Sequence, residues 1–293
     1  QVETASKGAT HVIYEILYDR SGSMIQMPTA PEALQNFVSQ QKNFCETNNI
    51  ISRFTLTVFD TVAEKVPKFD DVDLRETEVI PVDSLRPRGY TRLVDTALEQ
   101  ISQLKDKINS DSSAEDNPKW RGIFVILTDG HDNQSKHSSS RLRNEIQQLT
   151  ESGVQCYFLG ANQDAIHTGA NYGFTQDQSL TYAGAAALEA MRSASNNIAT
   201  GLSQPVTDDR TVTQPGFSQL QREISGGPEA TVTQYPSPSS RRSFTEGTLD
   251  NSLDDHILTQ TIAPILTRQL AGAYPITGTV PTTASSPNST LKI

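Results

Sequence analysis

Cysteine is almost absent from this chain: Cys45 and Cys156 are the only two, and they lie far apart. A disulfide framework and a cysteine-rich zinc site are thereby excluded. Both thiols read as buried side chains, and they give no support for secretion. Basic charge is in deficit as well, with 24 Lys and Arg against 34 Asp and Glu. An acidic surface repels phosphates, so neither nucleic acid nor an anionic membrane is an expected partner. No apolar run approaches the span of a bilayer, which excludes a transmembrane segment and membrane insertion. No basic and apolar leader opens the sequence. A Gly-x-x-x-x-Gly-Lys loop and a Gly-x-Ser-x-Gly elbow are both missing, and the histidines are scattered without metal-ligand spacing.

What is present begins with His11 to Tyr18, a β-branched and apolar run that reads as a strand buried on both faces. It ends on Asp19-Arg20-Ser21-Gly22-Ser23-Met24, which puts an acid and two serines on one tight loop. These are hard oxygen donors, with no Cys or His among them. They suit Mg²⁺ or Mn²⁺ and argue against zinc or copper. Arg88-Gly89-Tyr90-Thr91-Arg92-Leu93 places a threonine hydroxyl at the mouth of a helix. Ile123 to Gly130 repeats the opening pattern, a buried strand closing on Thr128-Asp129-Gly130.

An Asp-x-Ser-x-Ser loop, a Gly-x-Thr helix start and an apolar strand ending Thr-Asp-Gly, in that order, resemble the von Willebrand factor type A (vWA) domain. The resemblance covers about residues 10 to 203. It implies a metal-ion-dependent adhesion site in which Ser21, Ser23 and Thr91 bind the ion directly, with Asp19 and Asp129 acting through water. It also implies a non-enzymatic protein-binding module, in which Mg²⁺ or Mn²⁺ bridges to an Asp or Glu of a partner. Arg20 and Tyr90 flank the ligands and are expected at the rim of that contact. The wording around Val125 to Gly130 and Phe158 to Ala165 is similar to the stand-alone intracellular type A domains of bacteria and viruses. A cytoplasmic location, or a place in a virion or other large assembly, is expected accordingly.

Periodicity supplies the fold without that resemblance. Strand patterns at Arg53–Phe59, Val154–Gly160 and Leu180–Tyr182 alternate with helical stripes at Glu32–Thr47, from Thr91, at Ser139–Ser152 and at Ala183–Leu202. Val62–Phe69 reads as a short edge strand, because Pro67 interrupts it. Such alternation predicts an α/β domain: a doubly wound, mostly parallel sheet with helices on both faces, Rossmann-like. Ligands of such sheets sit beyond the carboxyl ends of the strands, where Asp19 and Asp129 fall.

Residues 1–9 are expected to be a loose lead-in, 10–203 the domain and 204–293 an extended tail. That tail is rich in Pro, Ser and Thr and holds nine of the fifteen prolines. Two apolar islands interrupt it. One is Phe217, Leu220 and Ile224. The other predicts a helix near 252–271, whose Leu258 and Ile262 are expected either to fold back on the domain or to dock on another subunit. Two rival functions remain: a structural subunit of a large assembly, such as a minor capsid protein with an incidental metal site, and a Mg²⁺-dependent hydrolase. The hydrolase fits less well, because three of the five candidate ligands are neutral hydroxyls and neither a nucleophile nor a phosphate clamp is evident.

Overall fold

The computed structural model of the chain describes residues 8–110, 119–205 and 214–226. In chain order they form β1 (His11–Asp19), α1 (Ala30–Thr47), β2 (Ile51–Phe59), β3 (Ala63–Lys65), α2 (Leu93–Ser110) and β4 (Trp120–Thr128). Then follow α3 (Ser139–Glu151), β5 (Gln155–Ala161), α4 (Ala165–Tyr172), β6 (Ser179–Tyr182), α5 (Ala187–Ser203) and α6 (Gln219–Ser225). The strands make one sheet in the order β3-β2-β1-β4-β5-β6. All pairings are parallel except β2 with β3. The short antiparallel β3 at the edge carries the segment that Pro67 ends.

Strand alternation divides β1 between two cores. Val12, Tyr14, Ile16 and Tyr18 face α1 and α5, while Ile13 and Leu17 face α2, α3 and α4. Burial on both sides explains why β1 and β4 are near-continuous apolar runs. Glu15 of β1 is an exception: fully buried, it accepts a hydrogen bond from the Lys107 ammonium of α2. Burial still pushes its carboxyl up to about 7, against the pull of Lys107.

From β1 the chain builds outward to β2 and β3, then crosses to β4 on the other side. The crevice between the carboxyl ends of β1 and β4 is therefore the point where strand order reverses. Asp19 closes β1 and Asp129 follows directly on β4.

Part of the tail packs on the domain. The Gln214 side-chain amide accepts the Cys156 N–H at 3.0 Å and donates to the Cys156 carbonyl at 2.6 Å. It stands in for a strand at the start of β5, which β6 is too short to reach. Phe217 is buried edge-on against Tyr157, and Arg222 of α6 donates to the carbonyls of Ser179 and Gln176. This corrects the apolar stripe expected at Phe217, Leu220 and Ile224. Only Phe217 turns inward, while Leu220 and Ile224 are 65% and 47% exposed. The helix expected at 252–271, with Leu258 and Ile262, lies outside the described residues.

Candidate metal-ion and partner-binding site

Asp19 is wholly buried, and both of its oxygens are engaged. Oδ1 accepts the Ser21 N–H at 2.7 Å, which curls the loop back on its own first residue. Oδ2 accepts the Thr128 hydroxyl at 2.6 Å, across the crevice from β4. Past this anchor the Ser21 and Ser23 hydroxyls lie 3.2 Å apart, and Ser23 donates to Asp129 Oδ1 at 2.8 Å. Thr91 is buried beside Gly130. A Cβ added to Gly130 would stand 3.4 Å from Thr91 Oγ1 and 3.6 Å from Ser23 Oγ. The fold thus brings Asp19, Ser21, Ser23, Thr91 and Asp129 to one mouth.

Thr91 is held there by groups that the sequence reading did not single out. Its N–H donates to Asn133 Oδ1 at 2.9 Å, and its carbonyl accepts the N–H groups of Asn133 and Gln134 at 3.0 and 3.1 Å. Asp132 takes the Val94 N–H at 3.1 Å and so satisfies an orphan donor at the start of α2. Asp95 receives the N–H groups of Lys136 and His137, together with His137 Nδ1 at 2.8 Å. Burial works against the Asp95 charge, but these donors and Arg92 outweigh it and hold the carboxyl down at about 2. The loop after β4 is thereby locked over the first turn of α2.

The electrostatics of the mouth are of the opposite kind. Burial pushes Asp19 up to about 6, despite the hydrogen bonds from Thr128 and Ser21. Asp129 is raised by burial too, against the pull of the Ser23 hydroxyl. Among the described residues neither acid forms an ion pair. Two desolvated carboxylates beside three hydroxyls are an all-oxygen donor set, which fits a hard divalent cation. Among the described residues no three His, Cys, Asp or Glu side chains are arranged to hold a metal, so a cation here would depend on the hydroxyls.

The two rim residues part company. Tyr90 is 61% exposed beside Thr91, and Ile25, in the turn that carries Ser23, is 74% exposed. Arg20 is 3% exposed and turned away from the mouth, which corrects its placement at the rim. Its guanidinium is consumed by Asp60, Glu64 and the Ser84 carbonyl. The histidines are also less scattered than their spacing suggests. His131, His137 and His167 line one groove of about 400 Å³ together with Asp132 and Tyr172. Folding of α3, β5 and α4 gathers them, and no local spacing could have shown it.

The von Willebrand factor type A domain family model matches residues 15–199. No curated protein matches the chain. Proximal thread matrix protein 1 from the mussel byssus is similar in structure, at 16% identity and a TM-score of 0.45. The match covers 69% of this chain and 49% of that one, so the chain spans about half its length. A second structure of the mussel protein, with a zinc-occupied metal-ion-dependent adhesion site, matches at 15% identity and a TM-score of 0.43, over 66% and 46% of the two chains. The von Willebrand factor domain of the type V pili tip protein Mfa5 from Porphyromonas gingivalis matches at 13% identity and a TM-score of 0.46, covering 70% of this chain and 100% of that one.

Proposed function

The chain belongs to the von Willebrand factor type A domain family, and we propose that it is a non-enzymatic, divalent-cation-dependent protein-binding module. One observation carries this reading. Three hydroxyls, the buried carboxylate of Asp19 and the half-buried carboxylate of Asp129, neither with a cationic partner among the described residues, converge at the switch point of the sheet. Ser21, Ser23 and Thr91 would hold the cation directly, with Asp19 and Asp129 behind them. When bound, Mg²⁺ or Mn²⁺ supplies a positive charge and an open position that takes an Asp or Glu side chain of a partner. The chain's own residues do the rest. Thr128 fixes the Asp19 carboxylate, Asn133 fixes Thr91, and exposed Tyr90 and Ile25 offer apolar surface beside the mouth.

A net charge of −10 works against an acidic partner, so a bound cation would have to supply the local attraction. Arg20 and Arg88 are committed to Asp60 and Glu64, so neither is placed as the phosphate clamp that a hydrolase would need. Among the described residues no helix is long and apolar enough to cross a membrane. The tail, through Leu258 and Ile262, is proposed to tether the domain to further subunits of an assembly, on the strength of its sequence pattern alone.

Calorimetric titration with Mg²⁺ and Mn²⁺ tests the reading. Binding at a single site, lost in Ser21→Ala while circular dichroism is unchanged, supports it. A parent chain that takes up neither ion overturns it. Proteins captured from the native source should then release in EDTA and rebind when Mg²⁺ or Mn²⁺ is restored.

A further inference from the structure

Arg20 lies between two residues of the mouth, yet it serves a second structure behind them. Its Nε donates to Asp60 Oδ2 at 2.7 Å and its Nη2 to Glu64 Oε2 at 2.6 Å. Arg88, three residues before Thr91, closes the figure. Its Nε reaches the same Asp60 Oδ2 at 2.8 Å, and its Nη2 reaches Glu64 Oε1 at 2.7 Å. Each carboxylate therefore bridges both guanidiniums, and the four charges form a closed square. One corner belongs to the loop of Ser21 and Ser23, another to the loop of Thr91, and the two acids come from the end of β2 and from β3. Backbone bonds run alongside: the Arg88 N–H donates to the Arg20 carbonyl at 2.7 Å, and the Gly22 N–H to the Gly89 carbonyl at 3.1 Å. Gly89 has φ +68°, where a side chain is strained, and a Cβ there would come within 2.6 Å of Thr61 Oγ1 in the turn between β2 and β3, so glycine suits this position.

We propose that Arg88 and Glu64, working with buried Arg20 and Asp60, are positioning residues that keep the Thr91 hydroxyl in register with those of Ser21 and Ser23. The inference rests on the cation-binding reading above and deepens it. Guanidinium–carboxylate pairing is directional and planar, so a square of such pairs fixes orientation as well as distance. Its charges sum to zero, so it joins the loops without setting a net positive field beside a cation site. Asp60 and Glu64 are both held below the usual carboxylate range. For Asp60 burial opposes this, and the hydrogen bonds from Arg88, Val62 and Arg20 overcome it; for Glu64 the hydrogen bond from Arg20 leads.

Arg88→Gln separates positioning from simple electrostatics, because the two predict opposite signs. The Arg88 side chain is 53% exposed, so the change opens no cavity. Removing one positive charge should tighten divalent-cation binding if the square acts only through its field. If it acts by holding the loops, Mn²⁺ affinity should fall roughly 10–100-fold, as it does when supporting partners of metal ligands are removed. Arg88→Lys should recover only part of the loss, since an ammonium keeps the charge but lacks the planar fork that fixes the orientation of both carboxylates. Amide hydrogen exchange in the cation-free protein gives an independent reading, and positions 22 and 88 should exchange at least tenfold faster in Arg88→Gln. A parent that binds Mn²⁺ together with a variant that binds it equally well or more tightly overturns the positioning role and leaves the proposed function standing. Weakened binding with unchanged exchange at 22 and 88 overturns it as well. A parent that takes up no Mn²⁺ removes the function itself.

Discussion

The Thr128 hydroxyl stands 2.6 Å from Asp19 Oδ2 and donates to it, joining the ends of the two strands that flank the switch point. The same oxygen accepts the Gly130 N–H at 3.1 Å, so a single side chain sets both the acid and the turn after β4. Thr128→Val keeps the shape and removes both bonds. It leaves a buried carboxylate oxygen and an N–H without partners, and should cost about 1–3 kcal/mol of stability. Thr128→Ser should cost far less. Urea denaturation of the three proteins without divalent cation checks this, and equal midpoints for parent and Val variant would refute it.

Asp19 gives stability an unusual dependence on pH. Its folded carboxyl is raised to about 6 by burial, from an ordinary value of 3.8. Between roughly pH 4 and 6 the folded chain keeps a proton that the unfolded chain has released, so this group's contribution falls as pH rises and does not return above that window. Asp19→Asn removes the effect. Without divalent cation the variant should be more stable than the parent at pH 7.5 by about 1–2 kcal/mol; the full shift is worth ~3 kcal/mol, and losing one acceptor offsets part of it. Adding Mn²⁺ should stabilise the parent and leave the variant unmoved. Denaturation midpoints from pH 4 to 8, with EDTA and with Mn²⁺, decide the matter.

Much of the layout of the candidate site could be read from the chain because each element of it is local. Asp19 ends a buried strand, Thr91 precedes a helix and Asp129 follows a second strand, and each of these places has its own apolar pattern. The sheet emerged from the same alternation. Arg20 misled for the converse reason: its partners Asp60 and Glu64 stand 40 and 44 residues away, and flanking two ligands in sequence says nothing about which way a long side chain turns. The segment 214–226 was legible only at Phe217, its one apolar anchor, because the rest of it docks through polar groups. Gln214 and Arg222 answer unpaired backbone groups along a ragged sheet edge, whereas an apolar-stripe reading points to Leu220 and Ile224, which face water.

That docking bears on where the independently folding unit ends. We expect a chain cut after Gly226 to melt like the full chain, and a chain cut after Gln204 to be weaker. The shorter cut uncovers Tyr157, strips the amide from Cys156 and deletes the Arg222 hydrogen bonds. Losing buried Phe217 alone should cost about 3 kcal/mol or more. Equal melting of the two truncated chains would show that 214–226 adds nothing to the domain.

Gly130 allows the space between the hydroxyls to be tested without touching any ligand. The positions of Thr91 Oγ1 and Ser23 Oγ, 3.4 and 3.6 Å from where a Cβ would sit, put an added methyl beside both hydroxyls and against no backbone. The methyl is in ordinary contact distance, so the fold should tolerate it. Gly130 is not among the glycines with positive φ, so Gly130→Ala should leave stability unchanged or raise it by about 0.4–1 kcal/mol, through the less free unfolded chain. All five oxygen-bearing side chains remain, and so does the charge. A cation held by Ser21, Ser23 and Thr91 would share the space beside these hydroxyls with the methyl, so Mn²⁺ affinity should drop at least roughly tenfold while the melting temperature holds. Asp19→Asn cannot make this distinction, since it changes charge and hydrogen bonding together. Should Gly130→Ala bind Mn²⁺ as tightly as the parent, the cation sits elsewhere on the chain, and the mouth is a structural junction between β1, β4 and α2.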